Sequence, residues 1–410
     1  MLSLLLALAV GAPDWPDFRG PGRDGHADGV DLPMSWSEEE HVVWKTAIHG
    51  RGWSSPVLLE GRAWLTTAPS KGGALSVIAV DLDSGEVVVD RVVFEVAEPE
   101  PRNGLNSYAS PSPVVAEGRV FVHFGTYGTA CLDAETGETV WSRTDLKCDH
   151  LEGPGSSPLL QDGRLFLHLD GADVQYLVAL DPKTGETLWR TERTADLEPL
   201  APDFRKAYST PLLTTMKGAE GPRPVLISSA ARATYGYDPA TGAELWRMDH
   251  PGFSMASRPL LVDDKLYVST GFMRPELWAF KIGGAGNITD DAFLWRNTRG
   301  VPTMPSSVIV GGLLFQVSDR GMASAVDLET GETRWQERLG ESHCASLLAS
   351  GDRIYAFGVE GKSSVFRASG SFEKLAEGQL EAGFMASPAV LGDALILRTK
   401  THLYRIEAAQ

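Results

Sequence analysis

Apolar and polar positions alternate in short runs along most of this chain, and the runs keep a fixed order. Residues 158–168 (Pro-Leu-Leu-Gln-Asp-Gly-Arg-Leu-Phe-Leu-His) show the first half of the pattern. An apolar run meets an Asp-Gly turn and a second apolar run follows, which predicts a hairpin. A third run, Tyr176-Leu-Val-Ala-Leu180, leads into Asp181-Pro-Lys-Thr-Gly-Glu-Thr-Leu-Trp189. There the Asp side chain can bond backbone two residues on, and Gly185 can take a positive φ without steric cost. A fourth strand carrying Trp189 completes the unit.

The unit repeats. Its turn returns as Asp133-Ala-Glu-Thr-Gly137 before Trp141, Asp238-Pro-Ala-Thr-Gly242 before Trp246, and Asp327-Leu-Glu-Thr-Gly331 before Trp335. A worn copy, Asp81-Leu-Asp-Ser-Gly85, precedes Val89 where a Trp would stand. Each unit opens on a Ser-Pro-like pair: Ser55-Pro56, Ser112-Pro113, Ser157-Pro158, Thr210-Pro211, Arg258-Pro259, Ser306-Ser307, Ser346-Leu347 and Ser387-Pro388. A repeat of this period means a solenoid or a propeller. The last unit decides between them. It holds three strands, 389–391, 394–398 and 403–406, and lacks a fourth. The missing signature sits near the start of the chain as Val42-Val43-Trp44-Lys45. An N-terminal strand that completes the last unit closes a ring. The expectation is therefore an all-β, eight-bladed β-propeller without long open edges. The fourth-strand Trp residues read as core between units.

Composition changes little in this picture. Gly 43 and Pro 25 suit many tight turns. A net charge of −17 argues against a nucleic-acid partner, which would need a basic stripe. Residues 1–11 contain an apolar run ending in small residues and read as a signal peptide, with cleavage after Gly11 and export to the periplasm or beyond. The run is too short to span a membrane, and no other stretch is long and apolar enough. Residues 12–40 hold few aliphatics and read as an arm lying on the propeller, anchored by Trp15, Phe18 and Trp36; residues 41–410 form the propeller itself. The three cysteines, Cys131, Cys148 and Cys344, cannot all pair. Cys131 and Cys148 fall toward one face, which leaves a single bridge open.

The Asp-x-x-Thr-Gly-x-x-x-Trp signature with its Ser-Ser-Pro strands resembles the pyrroloquinoline-quinone (PQQ) enzyme repeat, as in the quinoprotein dehydrogenases. The whole chain is similar to a group of exported PQQ-like propeller proteins of the planctomycete type. The residues that carry this are Trp15-Pro16-Asp17-Phe18-Arg19-Gly20-Pro21 with Arg23-Asp24-Gly25, the stretch from Gly50 to Pro56, and Gly383-Phe384-Met385-Ala386-Ser387-Pro388. More distantly, it is similar to the propeller lipoprotein of the outer-membrane β-barrel assembly machinery, which binds partners and no quinone; the lipidated Cys of that protein is absent here. The dehydrogenases imply PQQ beneath two adjacent cysteines, a Ca²⁺ held by Glu and Asn, and an Asp base. This chain's cysteines are far apart, so no cofactor is expected.

Strand order sends the stereotyped turns to one face. The irregular loops go to the other face, where function usually resides. The loops before each innermost strand should converge on the channel mouth. They supply the candidate ligand residues Arg51, Trp53, Asn106, Tyr108, His150, Arg205, Lys206, Tyr208 and His343. The loops between second and third strands add Arg232, Arg274, Glu276, Asp319 and Lys400, among others. This mixture suits a polar or anionic small ligand or a protein segment; alternatively, it fills the channel and cross-links blades. His150 with Asp149 and Glu152, or Asp170 with Asp173, gives no recognised metal motif. No catalytic or metal residues are assigned. The first functional reading is a secreted, non-catalytic, monomeric binding or scaffolding module. The second is an enzyme with its site at the channel mouth, either a PQQ-dependent dehydrogenase or a hydrolase or lyase.

Overall fold

A computed structural model describes residues 15–218 and 221–408. The expected signal peptide lies outside the described residues. Eight separate sheets follow one another along the chain. Their innermost strands are Val57–Leu59, Val114–Ala116, Leu159–Gln161, Leu212–Gly218, Leu260–Val262, Val308–Val310, Leu348–Ser350 and Ala389–Leu391. Seven blades are antiparallel sheets of four strands, and blade four gains a fifth strand.

The ring closes as the pattern predicts. Strand Val42–Ala47 pairs antiparallel with His402–Ile406, from Val42 opposite Ile406 to Ala47 opposite His402. Blade eight therefore takes three strands from the end of the chain and one from near its start.

The repeated signature is a lock between neighbouring blades. Within each turn the Asp carboxylate accepts backbone N–H bonds, as Asp133 does from Glu135 at 3.1 Å and Thr136 at 3.0 Å. The turn glycine sits at positive φ, 76° at Gly185. The Trp of the preceding blade then lies on that glycine and donates its indole N–H to a turn carbonyl: Trp141 to Pro182 at 2.9 Å, Trp189 to Pro239 at 3.0 Å, Trp295 to Leu328 at 3.0 Å. The closing strand obeys the same rule, since Trp44 donates to Leu82 at 2.9 Å.

Blade five departs from the rule. Its third and fourth strands, Leu277–Lys281 and Phe293–Asn297, are joined by a longer connection in place of the Asp-x-x-Thr-Gly turn. That connection lays Gly286–Asn287 parallel to the outer strand of blade four and adds one helical turn, Thr289–Ala292. Trp246 of blade four is fully buried there, and its indole N–H finds no acceptor.

The opening Ser-Pro pairs build a hydroxyl ring around the axis. The N–H of Ser55 donates to Ser112 Oγ, that of Ser112 to Ser157 Oγ, and that of Ser157 to Thr210 Oγ1. The series resumes from Arg258 N to Ser306 Oγ, then to Ser346, Ser387 and back to Ser55. These bonds span 2.8–3.1 Å. The one missing hydroxyl is at blade five, where Arg258 instead reaches the Pro211 carbonyl at 2.8 Å.

Residues 15–32 sit on the short-turn side of this ring. Leu58 N donates to Trp15 O and Val115 N to Pro16 O. Arg19 donates to the carbonyls of Ser307 and Leu347, and Arg23 to that of Leu160. Asp17 pairs with Arg258 at 2.8 Å. Ala27 N donates to Ala349 O. Trp15 and Trp36 are buried and Phe18 is half-buried. The segment thus contacts the innermost strands of blades one, two, three, five, six and seven and lies across the axis. All three cysteines are free, with Cys131 and Cys148 buried in one apolar cluster.

Candidate functional site

The residues expected at the channel mouth do lie in the irregular loops, but most of their polar atoms bond to nearby backbone. Arg51 donates to the Gly104 carbonyl and stacks 4.9 Å from the Trp53 ring, while Trp53 Nε1 donates to Leu105 O at 2.8 Å. Asn106 Nδ2 donates across the seam to Glu152 O at 2.8 Å and Pro154 O at 3.1 Å. Tyr108 donates to Glu100 O at 2.7 Å, and Tyr208 to His150 O at 2.7 Å. His150 is buried and accepts the Thr126 N–H at Nε2; burial holds its pKa down at about 4. Arg205 folds back onto the carbonyls of Glu198 and Leu200. Lys206 is buried and pairs with Asp203 of its own loop. His343 donates to Glu341 O at 3.0 Å, and burial lowers its pKa to about 4.

These contacts join Arg51, Trp53, Asn106, His150 and Tyr208 into one chain of cross-links over blades one to four. Arg205 and Lys206 bond within their own loop, and His343 stands apart on blade seven. Sequence spacing assigned the nine residues to loops of the irregular face. It carried no information on which way each loop folds back.

Beyond the hydroxyl ring, on the irregular side, the position two residues before each ring residue is half-buried in all eight blades, and the next residue is buried. These half-buried positions include Trp53, Tyr208, Met304, Cys344 and Met385.

Two open clefts lie farther out on the irregular face. The larger, about 430 Å³, is lined by Ala195, Asp196, Arg232, Arg247, Asp249, His250, Pro251 and Trp278 at the seam of blades four and five. Arg247 pairs with Asp249 at 2.8 Å, and Asp249 also accepts from Asn287. Arg232 forms no ion pair among the described residues. Its Nη1 reaches the Pro251 carbonyl at 2.8 Å and its Nε has no partner. Its backbone is held at φ 68°, in the left-handed region. Such strain persists only when the surroundings impose it. Burial, helped by Arg232, keeps the His250 imidazole neutral with a pKa of about 4. On the same face, Phe272 packs edge-on to Phe253, and Phe272 and Met273 remain 55% and 69% exposed. The second cleft, about 400 Å³, holds Arg274, Glu276 and Val301. Arg232, Arg274 and Glu276 were visible in the sequence as loop residues of this face. Arg247, His250 and Trp278 were not, because they belong to strands or strand ends.

A buried row of Asp170, His168 and Ser228 has triad-like spacing, with Asp170 Oδ2 3.0 Å from His168 Nε2 and Ser228 Oγ 3.2 Å from Nδ1. Arg193 donates to both Ser228 and His168 Nδ1, and all these side chains are sealed from solvent. It is a blade-seam network with no substrate access. Among the described residues, no three His, Cys, Asp or Glu side chains gather as metal ligands, and no helix is long and apolar enough to cross a membrane.

Solved structures show the same fold at low identity. BamB from Moraxella catarrhalis superposes with a TM-score of 0.60 at 14% identity, covering 89% of this chain and 99% of that one. Quinohemoprotein alcohol dehydrogenase from Comamonas testosteroni gives 0.55 at 13% identity, covering 98% and 82%. The computationally designed Ika8 protein gives 0.59 at 10%, covering 87% and 97%. No curated protein sequence matches the chain. Residues 95–216 and 173–410 match the family described as outer membrane protein assembly factor BamB. With well over half its length matched, and with the blade locks and ring closure described above, this chain belongs to the BamB family of PQQ-like eight-bladed propellers.

Proposed function

We propose that this protein is an exported, non-catalytic scaffold whose irregular face docks a partner segment carrying a carboxylate beside an apolar side chain. The observation that carries this reading is the cleft between blades four and five. Among the described residues Arg232 forms no ion pair, in a body of net charge −17, and exposed Phe272 and Met273 lie in a loop of the same face. A free cation in an acidic protein selects an anionic group. An exposed aromatic and a thioether supply apolar contact area. Family membership supports the scaffold role and export.

The residues do not fit PQQ. Cys131, Cys148 and Cys344 stand on different blades or connections, and no adjacent pair exists to lie beneath a quinone. We derive no chemistry through that group.

The test places a photo-crosslinking amino acid at Met273 or Arg232, and at Glu135 and Lys183 on the short-turn face, in the producing cell. Adducts of one discrete partner from the first pair alone are expected. Equal adducts from both faces, or none from the first pair, would overturn the docking reading. Adding PQQ with Ca²⁺ should leave the absorption spectrum additive; a protein-dependent shift of the quinone band would favour the dehydrogenase instead.

A further inference from the structure

Arg398 ends the second strand of blade eight, Ala394–Arg398, on the irregular side of the ring. It is 3% exposed. Its side chain crosses the closing seam to blade one, where Nη1 donates to Ser54 O at 2.9 Å and to Ser54 Oγ at 2.6 Å, one residue before the ring position Ser55. Gly52 makes room for the guanidinium. A Cβ there would meet Arg398 Nη2 at 2.7 Å and Thr66 O at 2.4 Å.

The surroundings of this cation differ from those of the other deeply set arginines. Arg193 pairs with Asp170 at 3.1 Å and Arg258 with Asp17 at 2.8 Å. Arg19 donates to three carbonyls and lies in the field of Asp24 and Asp17. Arg398 forms no ion pair among the described residues, and burial alone acts on its charge. A desolvated charge is costly to hold without a counter-ion. Two bonds to an uncharged serine do not offset that, and a neutral amide could donate both.

The remaining donors define the counter-ion. Nε and Nη2 of Arg398 make no hydrogen bond among the described residues. Arg19 Nε and Arg258 Nε are fully enclosed without partners, whereas neither of these two atoms is sealed from solvent. Nε–H and one Nη2–H lie parallel on one edge of the planar guanidinium, so covalent geometry alone makes them converge. That edge matches the two oxygens of a carboxylate. A side chain so nearly covered admits only a small one.

We propose that Arg398 is the binding site of a small free carboxylate, of formate or acetate size, held bidentate on Nε and Nη2 as the counter-ion of the closing seam. Because Arg398 joins blade eight to blade one, its ligand stabilises the closed ring by mass action. The site shares no residue with the cleft between blades four and five and does not depend on the role given to that cleft.

The experiment follows urea unfolding of the full-length protein at constant ionic strength, with sodium formate, acetate or gluconate as the varied salt. Gluconate carries the same carboxylate on a body too large for the opening. Formate and acetate should raise the midpoint along a saturating curve, and gluconate should not. Arg398→Met keeps the stem without the charge and should lose the saturating response. Arg398→Lys keeps the charge without the fork and should weaken formate binding at least about tenfold, the loss of one hydrogen bond to a charged group. Arg190→Gln removes an exposed cation elsewhere and should respond as the parent does. Where Arg398→Met does not fold, line broadening of isotope-labelled formate is compared between the parent and Arg398→Lys, and broadening by the parent alone is expected. A saturating response retained in Arg398→Met, an equal response to gluconate, equal broadening by Arg398→Lys, or no response of the parent to formate or acetate overturns the site.

Discussion

At the scale of single residues, the blade seam explains the repeat. Its Gly is required twice over: by φ, and by the Trp ring pressed against it. A Cβ on Gly185 would meet Trp141 at 2.7 Å, and one on Gly242 would meet Trp189 at 2.5 Å. Gly163, in a hairpin turn, has the same sign of φ, 69°, but nothing within 4 Å. Gly163→Ala should therefore cost only the left-handed penalty, about 1–2 kcal/mol. Gly185→Ala should cost more, because an over-packed seam adds about 1–3 kcal/mol. Urea midpoints of the two variants check the order, and equal losses would contradict the lock. Histidines set the pH response. Burial lowers His123 to about 3 and His150, His250 and His343 to about 4, from an ordinary 6.5. The unfolded chain binds these protons between pH 6.5 and 4 while the folded chain does not. Stability from this source is full above pH 6.5 and falls as pH drops through that window. Chemical denaturation at pH 7.5, 6 and 5 should show this decline before the carboxylates protonate; a flat profile would contradict it.

At the scale of elements, two strands do unusual work. Among the described residues, Val42–Ala47 is the strand that covers the outer edge of His402–Ile406. Deleting residues 1–48 should expose that edge, and exposed edges recruit other chains. The expected result is a shift to high-order oligomers in size-exclusion chromatography, and a stable monomer would show that closure is dispensable. Gly286–Asn287 covers the outer edge of blade four where the following blade lacks its turn. The same connection supplies Asn287, which binds Asp249 at 2.8 Å at the rim of the candidate cleft. A departure from the repeat and the candidate site therefore occur together.

At the scale of the whole molecule, the two sides of the ring differ. Residues 15–32 cross the axis on the short-turn side, which leaves the irregular side for ligands. The attachment has a specific latch: the one blade without a ring hydroxyl offers Arg258, and Asp17 meets it, both side chains at most 3% exposed. Breaking one partner of a buried pair costs about 3–5 kcal/mol, because the other charge stays buried and alone. Asp17→Asn should lose stability on that order. Arg258→Ser added to it removes the stranded charge and supplies the missing hydroxyl, so the double variant should recover part of the loss. Denaturant unfolding of both variants tests this. A double variant less stable than Asp17→Asn would show that Arg258 serves the ring independently of the arm.

What the sequence determined was everything that repeats. Strands, turns, the eight-fold count and the displaced closing strand all follow from local chemistry written several times over: Asp and Gly in a turn, apolar alternation, a Trp at fixed distance. Repetition makes such patterns legible because each copy corroborates the others. The chain of cross-links from Arg51 to Tyr208, the latch at Arg258 and the cleft around Arg232 are different. Each occurs once and joins residues tens or hundreds of positions apart, such as Asp17 and Arg258. Their side-chain directions depend on how irregular loops fold back on carbonyls of neighbouring blades. No local propensity encodes that, so only the closed tertiary structure decided it.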